Sequence, residues 1–303
     1  MRRWKPQSGT GRWIALVLSL LALGGAGFAF VSLGSRISGD PARWQIDIGA
    51  FGLLLMFLLT LAAAGWCIYR FVAAMTLHYE LDRNGMYITW AGNRTTIPLD
   101  RVNNIDAGAG PVFLPLGVLQ RIGTYWGRAF AGETPLYLFA TRHPDECLVI
   151  YTPGAAYAIS PDDPDAFVQD LEQRRNLGAT KTVQPAVEHS QVFHYAFWQS
   201  STILTLVLAT VLVNLLAFGI ISARYPALAP LVEMRFDAIG EVAELRPRHQ
   251  ALFLPLAALG LSLLNMAAGL ALYNRLPPGA QLLQGASVIV QILFLVAVAS
   301  ILY

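Results

Sequence analysis

Apolar positions along the chain follow two different patterns, with changes near residues 75 and 200. Five stretches of roughly 20 apolar residues each match the length an α-helix needs to cross about 30 Å of hydrocarbon. They predict spanning helices at about 13–33, 48–69, 201–221, 252–273 and 283–302. Trp44, Trp66, Tyr69 and Phe71 flank the second stretch, and Trp198 and Tyr225 the third, as interfacial aromatics do. Pro277, Pro278 and Gly279 predict a tight turn that stops both of the last two helices and makes them antiparallel neighbours. The first stretch follows a basic tail with Arg2, Arg3, Lys5 and Arg12. It is longer than the apolar part of a signal peptide and no small-residue cleavage site follows, which favours an uncleaved anchor.

Between the second and third stretches the pattern becomes that of short strands. Runs at 76–81, 86–90, 95–97, 123–126, 136–141, 147–151 and 156–159 are separated by turn signals such as Asp82 to Gly85 and Gly92-Asn93. Leu136, Leu138 and Ala140 alternate with Tyr137, Phe139 and Thr141, the period of a strand with two distinct faces. A helix follows, with Ser160 as its expected N-cap, Pro161 at its first position and Asp162, Asp163 and Asp165 in the first turn. Pro164, Phe167, Val168 and Leu171 share one face, and Gly178 is the expected stop. These elements predict an α-helical polytopic membrane protein of about five spanning helices, with an inserted PH-like β-barrel and its C-terminal helix. The expected divisions are two N-terminal transmembrane helices at 1–73, the soluble domain at 74–178, a linker at 179–199, and a three-helix membrane module at 200–303.

Particular residues carry two resemblances. Leu81-Asp-Arg-Asn-Gly-Met-Tyr-Ile88, Thr96-Ile-Pro-Leu-Asp-Arg-Val102 and Arg121-Ile-Gly-Thr-Tyr-Trp-Gly127 resemble bacterial pleckstrin-homology (PH) domains. Val149 to Pro161, with Phe167 beyond, is similar to their final strands and helix. The resemblance implies a fold and a membrane-associated setting, without an activity. Met234-Arg-Phe-Asp-Ala-Ile-Gly-Glu-Val242, approached by Pro226 and Pro230 and followed by a helix with Asn265, resembles a second domain. That domain is a small membrane module of uncharacterised role that also occurs in sporulation-delaying-protein immunity proteins. Phe236, Asp237 and Gly240 match its pattern, whereas Arg235 stands where histidine is usual.

Composition and charge narrow the function classes. Charged residues make up 13% of the chain, about half the share usual in a soluble globular protein. The four basic residues of the N-terminal tail, against Arg36 and Arg43 in the first loop and Arg70 at the second exit, favour a cytoplasmic N-terminus and soluble domain with an external C-terminus. Arg224, Arg235, Arg246 and Arg248 count against that orientation. Residues 73–199 carry nine Lys plus Arg and thirteen Asp plus Glu, a net of −4, which disfavours specific phosphoinositide binding. No basic-aromatic face suggests nucleic acid. No nucleophile elbow, phosphate loop, zinc-spaced cysteine pair or His-Glu-x-x-His occurs, so neither catalysis nor a cofactor or metal is expected. Cys67 and Cys147 read as buried small hydrophobes, and His189 and His194 are spaced off one helical face.

Three groups remain as candidates. The loop 107–118 is apolar where a solvated loop should be polar. Its Phe113, Leu114 and Leu116 either pack on their own barrel or touch the bilayer. Arg235, Phe236, Asp237 and Gly240 form either a structural turn or a contact for a partner or ligand. Asn214, Asn265 and Gln291, the clearest polar residues inside the spans, are expected to hydrogen-bond helix to helix. The expected role is a multi-pass protein of the bacterial cell membrane. Its PH-like domain would engage a protein partner or a second copy at the cytoplasmic face, as scaffold or sensor. The alternative is a small-molecule permease or immunity-type factor regulated by that domain.

Overall fold

A computed structural model describes residues 2–132, 134–177, 186–188, 197, 200–236 and 242–302. The chain divides into two compact units, one of residues 1–24 with 60–193 and the other of 25–59 with 194–303. Helices α1 (Gly11–Arg36) and α2 (Ile48–Thr76) each begin in one unit and end in the other. Asp47 caps α2, its Oδ1 accepting from the Ala50 amide at 2.7 Å and from Arg36 Nη1 at 2.9 Å.

The first unit is built on two five-stranded sheets. One contains β1 (Arg2–Trp4), β2 (His78–Leu81), β3 (Gly85–Trp90), β4 (Asn93–Pro98) and β10 (Ala186–Glu188), in the order β1-β2-β3-β4-β10. The other contains β5 (Asn104–Ala107), β6 (Tyr125–Ala131), β7 (Thr134–Ala140), β8 (Leu148–Thr152) and β9 (Ala155–Ile159), in the order β5-β8-β9-β7-β6. Both sheets are open, which corrects the expected barrel. The physical reason lies at their edges. β1 and β10, from outside the predicted strand runs, pair with β2 and β4 and occupy the hydrogen-bonding edges of the first sheet. In the second sheet β9 lies parallel to β7 and antiparallel to β8.

Period-two alternation places Tyr79, Leu81, Met86, Ile88 and Ile97 of the first sheet against Ile150 and Ile159 of the second. The helix α3 (Pro164–Asn176) adds Phe167 and Leu171, both fully buried, to this core. Its N-cap is Asp163, whose Oδ1 accepts from the Ala166 amide at 3.1 Å, and Pro164 takes the first helical position. Ser160, the cap expected from sequence, instead accepts from the Thr141 amide at 2.9 Å and thereby ties β9 to β7. Gly178 lies outside the described residues. The β3–β4 turn is Ala91-Gly92, one residue earlier than expected, with φ of 44° and 79°, as a two-residue hairpin requires.

The second unit contains α4 (Ser201–Arg224), α5 (Phe253–Leu272) and α6 (Pro277–Leu302). A hairpin of β11 (Leu231–Phe236) and β12 (Val242–Pro247) lies in the chain between α4 and α5. Pro277 and Pro278 open α6, not close it, because proline fits the first turn of a helix, whose amides need no intrahelical partner. The five helices α1, α2, α4, α5 and α6 are long and apolar enough to cross a membrane. In none of them is more than 22% of the most apolar stretch buried, so most of their large side chains face outward.

Candidate functional site

The N-terminal tail, counted from sequence only as positive charge, is a structural part of the domain. Trp4 pairs opposite Tyr79 in the sheet register and meets the Phe167 ring edge-on at 5.5 Å in the core. Further along, the Gln7 amide donates to Ser160 O at 2.8 Å, and the Gln7 carbonyl accepts from Thr141 Oγ1 at 2.7 Å. The Gly123 amide then donates to Gly11 O at 2.9 Å, at the start of α1. Gly123 has φ +82°, and a Cβ there would collide with the carbonyl of Arg70 on α2. The start of α1 and the end of α2 are therefore held together at one point of the domain.

Arg70 is the second residue that sequence reasoning misjudged. It was counted as a charge at the exit of the second span, yet it is only 4% exposed. Its Nε donates to Ile122 O at 3.1 Å, and its Nη2 donates to Thr124 O at 3.1 Å and to Thr124 Oγ1 at 2.8 Å. The guanidinium carbon lies 4.6 Å from the centre of the Trp126 ring. All these partners are neutral. Among the described residues no carboxylate is paired with Arg70.

Beside this arginine is a cavity of about 880 Å³, walled by the end of α2 and by both sheets. Trp66, Tyr69, Trp90, Trp126, Phe139 and Tyr157 make its surface mostly aromatic. Trp90 and Phe139 sit 4.7 Å apart, and Trp66 meets Trp126 edge-on at 6.3 Å. Thr95 also lines it, 2% exposed, and its Oγ1 is buried with no hydrogen-bond partner among the described residues. Burial, with a smaller contribution from Tyr137, raises the Tyr157 hydroxyl above the ordinary phenol range, so it stays a neutral donor. The aromatic residues were visible in the sequence, but their convergence depends on the packing of three separate elements.

The apolar loop before β6 resolves into two parts. Leu114 is half-buried against the core of the second sheet with Val112, whereas Phe113 and Leu116 are 68% and 51% exposed. Val118 and Leu119 extend the exposed patch. Gln120, nearly fully buried, pins the loop by accepting from the Leu116 amide at 3.3 Å and donating to Trp126 O at 3.0 Å. Gly123, three residues further on, is the point where α1 and α2 meet the domain.

In the helical unit the three spanning amides fall into two hydrogen-bonded groups, Asn214 with Gln291 in one and Asn265 in the other. Asn214 Nδ2 donates to Gln291 Oε1 at 3.0 Å and to Pro255 O at 2.9 Å, and Gln291 Nε2 donates to Ser262 Oγ at 2.9 Å. Asn265 Nδ2 donates to Ser287 Oγ at 3.1 Å, while Asn265 O accepts from Gln284 Nε2 at 3.2 Å. Gln284, Ser287 and Ser262 were missed from sequence. The spacing 284, 287, 291 on one helical face was the signal available. Backbone pairs Arg235 with Glu244 and Phe236 with Val242 at the end of the β11–β12 hairpin next to residues 237–241, while Asp237 and Gly240 lie outside the described residues. Most of the expected linker, with His189 and His194, also lies outside them.

Cys147 donates to His143 O at 3.1 Å, and its thiol is pushed up to about 12 by burial and then by Glu146 and Asp145. Cys67 and Cys147 are both free and buried. Among the described residues no group of three or more His, Cys, Asp or Glu side chains could hold a metal ion.

Comparison with known proteins gives one positive finding. The family described as bacterial PH domain matches residues 77–175, and PH domains are non-catalytic binding modules. No curated protein and no solved structure matches the chain. The family match ends before the helical unit and lends no support to the resemblance of 234–265 to immunity-protein modules. Residues 77–175 match the bacterial PH domain, in one chain with the five helices, among the described residues, that are long and apolar enough to span a membrane.

Proposed function

We propose that the protein is a multi-pass scaffold or sensor of the bacterial cell membrane, with its PH domain engaging a protein partner or a second copy at the cytoplasmic face. The observation that carries this reading is the stitching of residues 2–11 into the domain. Chain before α1 and chain after α2 share one folded body, so the two helices form a hairpin that leaves and re-enters on one side. A binding module tied to the membrane at both ends suits assembly at the surface better than chemistry on a diffusing substrate. The positive charge of the tail puts that side in the cytoplasm and leaves the C-terminus external. Arg70 no longer contributes to that assignment, since its charge is used inside the fold.

The exposed Phe113, Leu116, Val118 and Leu119 suit contact with the bilayer, because a rigid apolar tip close to the point where two spans end lies at headgroup level. An environment-sensitive dye on Leu116→Cys is expected to emit as in lipid; water-like emission would remove that contact. Arg235, Phe236, Asp237 and Gly240 remain candidates for an external contact at the hairpin. A solute path through α4–α6 has no comparable support, since its amides bond one another or serine hydroxyls across the helices.

The test is affinity purification of the tagged protein from its native membrane in mild detergent, beside a variant lacking 77–175. A stoichiometric partner, or a second copy, is expected to disappear with the domain. An unchanged set of co-purifying proteins and an unchanged oligomeric size would overturn the reading.

A further inference from the structure

The aromatic cavity beside Arg70 has a chemistry that a protein-binding scaffold does not require. Its volume, about 880 Å³, is within the range of about 300–1,000 Å³ usual for small-molecule sites. Its wall is apolar and aromatic, so it favours an apolar body over a sugar or a nucleotide. Two polar features depart from that wall. Arg70 is a buried cation whose hydrogen bonds all go to neutral acceptors, and Nη1 makes none among the described residues. An uncompensated buried charge is costly, and an anion beside it would offset that cost. Thr95 Oγ1 is a buried hydroxyl that has no hydrogen-bond partner among the described residues. The helix supplying Trp66, Tyr69 and Arg70 is itself a candidate span, and under the membrane placement proposed above its end sets the cavity near the depth at which lipid headgroups meet acyl chains.

We infer that this cavity binds one acyl chain bearing an anionic group, with the chain among Trp66, Trp90, Trp126 and Tyr157 and the anion at Arg70. The occupant is a free fatty acid or the chain of an acidic phospholipid, two sources of the same chemistry. This site differs from a phosphoinositide site, which needs clustered surface cations that a domain of net charge −4 does not offer. The inference rests on the membrane placement proposed above but not on a protein partner.

Gly65 provides a clean test, because it is exposed at the cavity and a Cβ built on it meets nothing within 4 Å. Gly65→Phe therefore occludes the cavity without disturbing the packing, whereas Arg70→Gln risks the fold. Full-length protein in nanodiscs of neutral lipid is titrated with dansyl-labelled undecanoic acid. Saturable binding is expected in wild type, weakened at least about tenfold in Gly65→Phe, a change of about 1.4 kcal/mol. Displacement by oleate alone identifies a free fatty acid, and displacement also by phosphatidylglycerol identifies a lipid chain; either supports the site. Binding equal to Gly65→Phe or to empty nanodiscs, or equal displacement by a neutral long-chain alcohol, would overturn it. Nanodisc incorporation reports membrane insertion separately, and partner co-purification with Gly65→Phe reports the scaffold role, so failure of one is not mistaken for failure of another.

Discussion

The two units bury different mixtures of side chain. Between the sheets of the PH domain the largest fully buried groups are Tyr79, Phe167, Leu81, Met86 and Ile88. Inside α4–α6 the buried positions are mostly small or polar, among them Asn214, Ala217, Ser262, Gly269, Ala280, Gln284, Ser287 and Gln291, with Ile203, Ile221 and Val298 as the large apolar exceptions. There the large residues turn outward, with Leu212, Leu264 and Leu293 between 57% and 67% exposed. A water-soluble domain is held by removing apolar surface from water. Helices solvated by lipid tails gain nothing from that transfer and associate through close packing and interhelical hydrogen bonds. Gly269 illustrates the packing, since a Cβ there would lie 2.8 Å from Gln284 Nε2. The inverted pattern is what a lipid environment for the second unit requires.

The contrast can be broken or sharpened by substitution. Phe167→Ala removes a ring at the centre of the sheet core and is expected to cost about 3–5 kcal/mol in denaturant unfolding of the domain. Leu293→Ala, removing a similar apolar group from the outward face of α6, is expected to leave thermal stability in nanodiscs nearly unchanged. A comparable loss at both sites would erase the distinction.

Alkaline titration probes the sheet core from another direction. The Cys147 value in the folded chain lies above the ordinary thiol value of 9.0, so its stabilising effect is complete below pH 9.0 and is lost as pH rises toward about 12. Tyr79, raised above the phenol range chiefly by burial, acts in the same sense at higher pH. Wild-type stability should fall above pH 9.0 by up to about 1.4 kcal/mol per pH unit from this thiol. Cys147→Ala should flatten that first part of the curve, and identical curves would show that the thiol does not titrate late.

Gln291→Leu takes away two bonds of the helical network and is expected to cost about 0.6–2 kcal/mol, read as a lower midpoint for loss of helix signal in detergent. The smallest effect is at the β3–β4 turn, where Ala91 holds φ at 44°. Ala91→Gly should relieve about 1 kcal/mol of left-handed strain and raise the unfolding midpoint of the domain. No rise would place the strain elsewhere.

Much of this architecture was legible in the sequence. The apolar stretches located the five long apolar helices among the described residues, and six of the seven strand runs fall on strands within a residue or two; the run at 123–126 meets only the start of β6. What sequence could not show was pairing at a distance. Arg2 to Trp4 look like a charged tail because their partner strand lies more than seventy residues away. The closure of the sheets was misread because β1 and β10 take edge positions that local periodicity cannot assign. Arg70 looks like a marker of orientation, and only the backbone carbonyls of residues 122 and 124 make it a buried cation. Asn214, Asn265 and Gln291 were the easier case, since a polar group on an apolar helix announces its need for a partner.

The membrane hairpin with both its ends on one folded domain is tested most directly by labelling single cysteines with an impermeant maleimide. In a chain with Cys67 and Cys147 replaced by alanine, exposed positions Ser38, Asn104, Leu245 and Arg275 are converted to cysteine one at a time. Ser38→Cys and Leu245→Cys should react in intact cells, and Asn104→Cys and Arg275→Cys only after permeabilisation. Labelling of positions 38 and 104 from the same side would contradict the hairpin, and with it the membrane setting proposed for the domain.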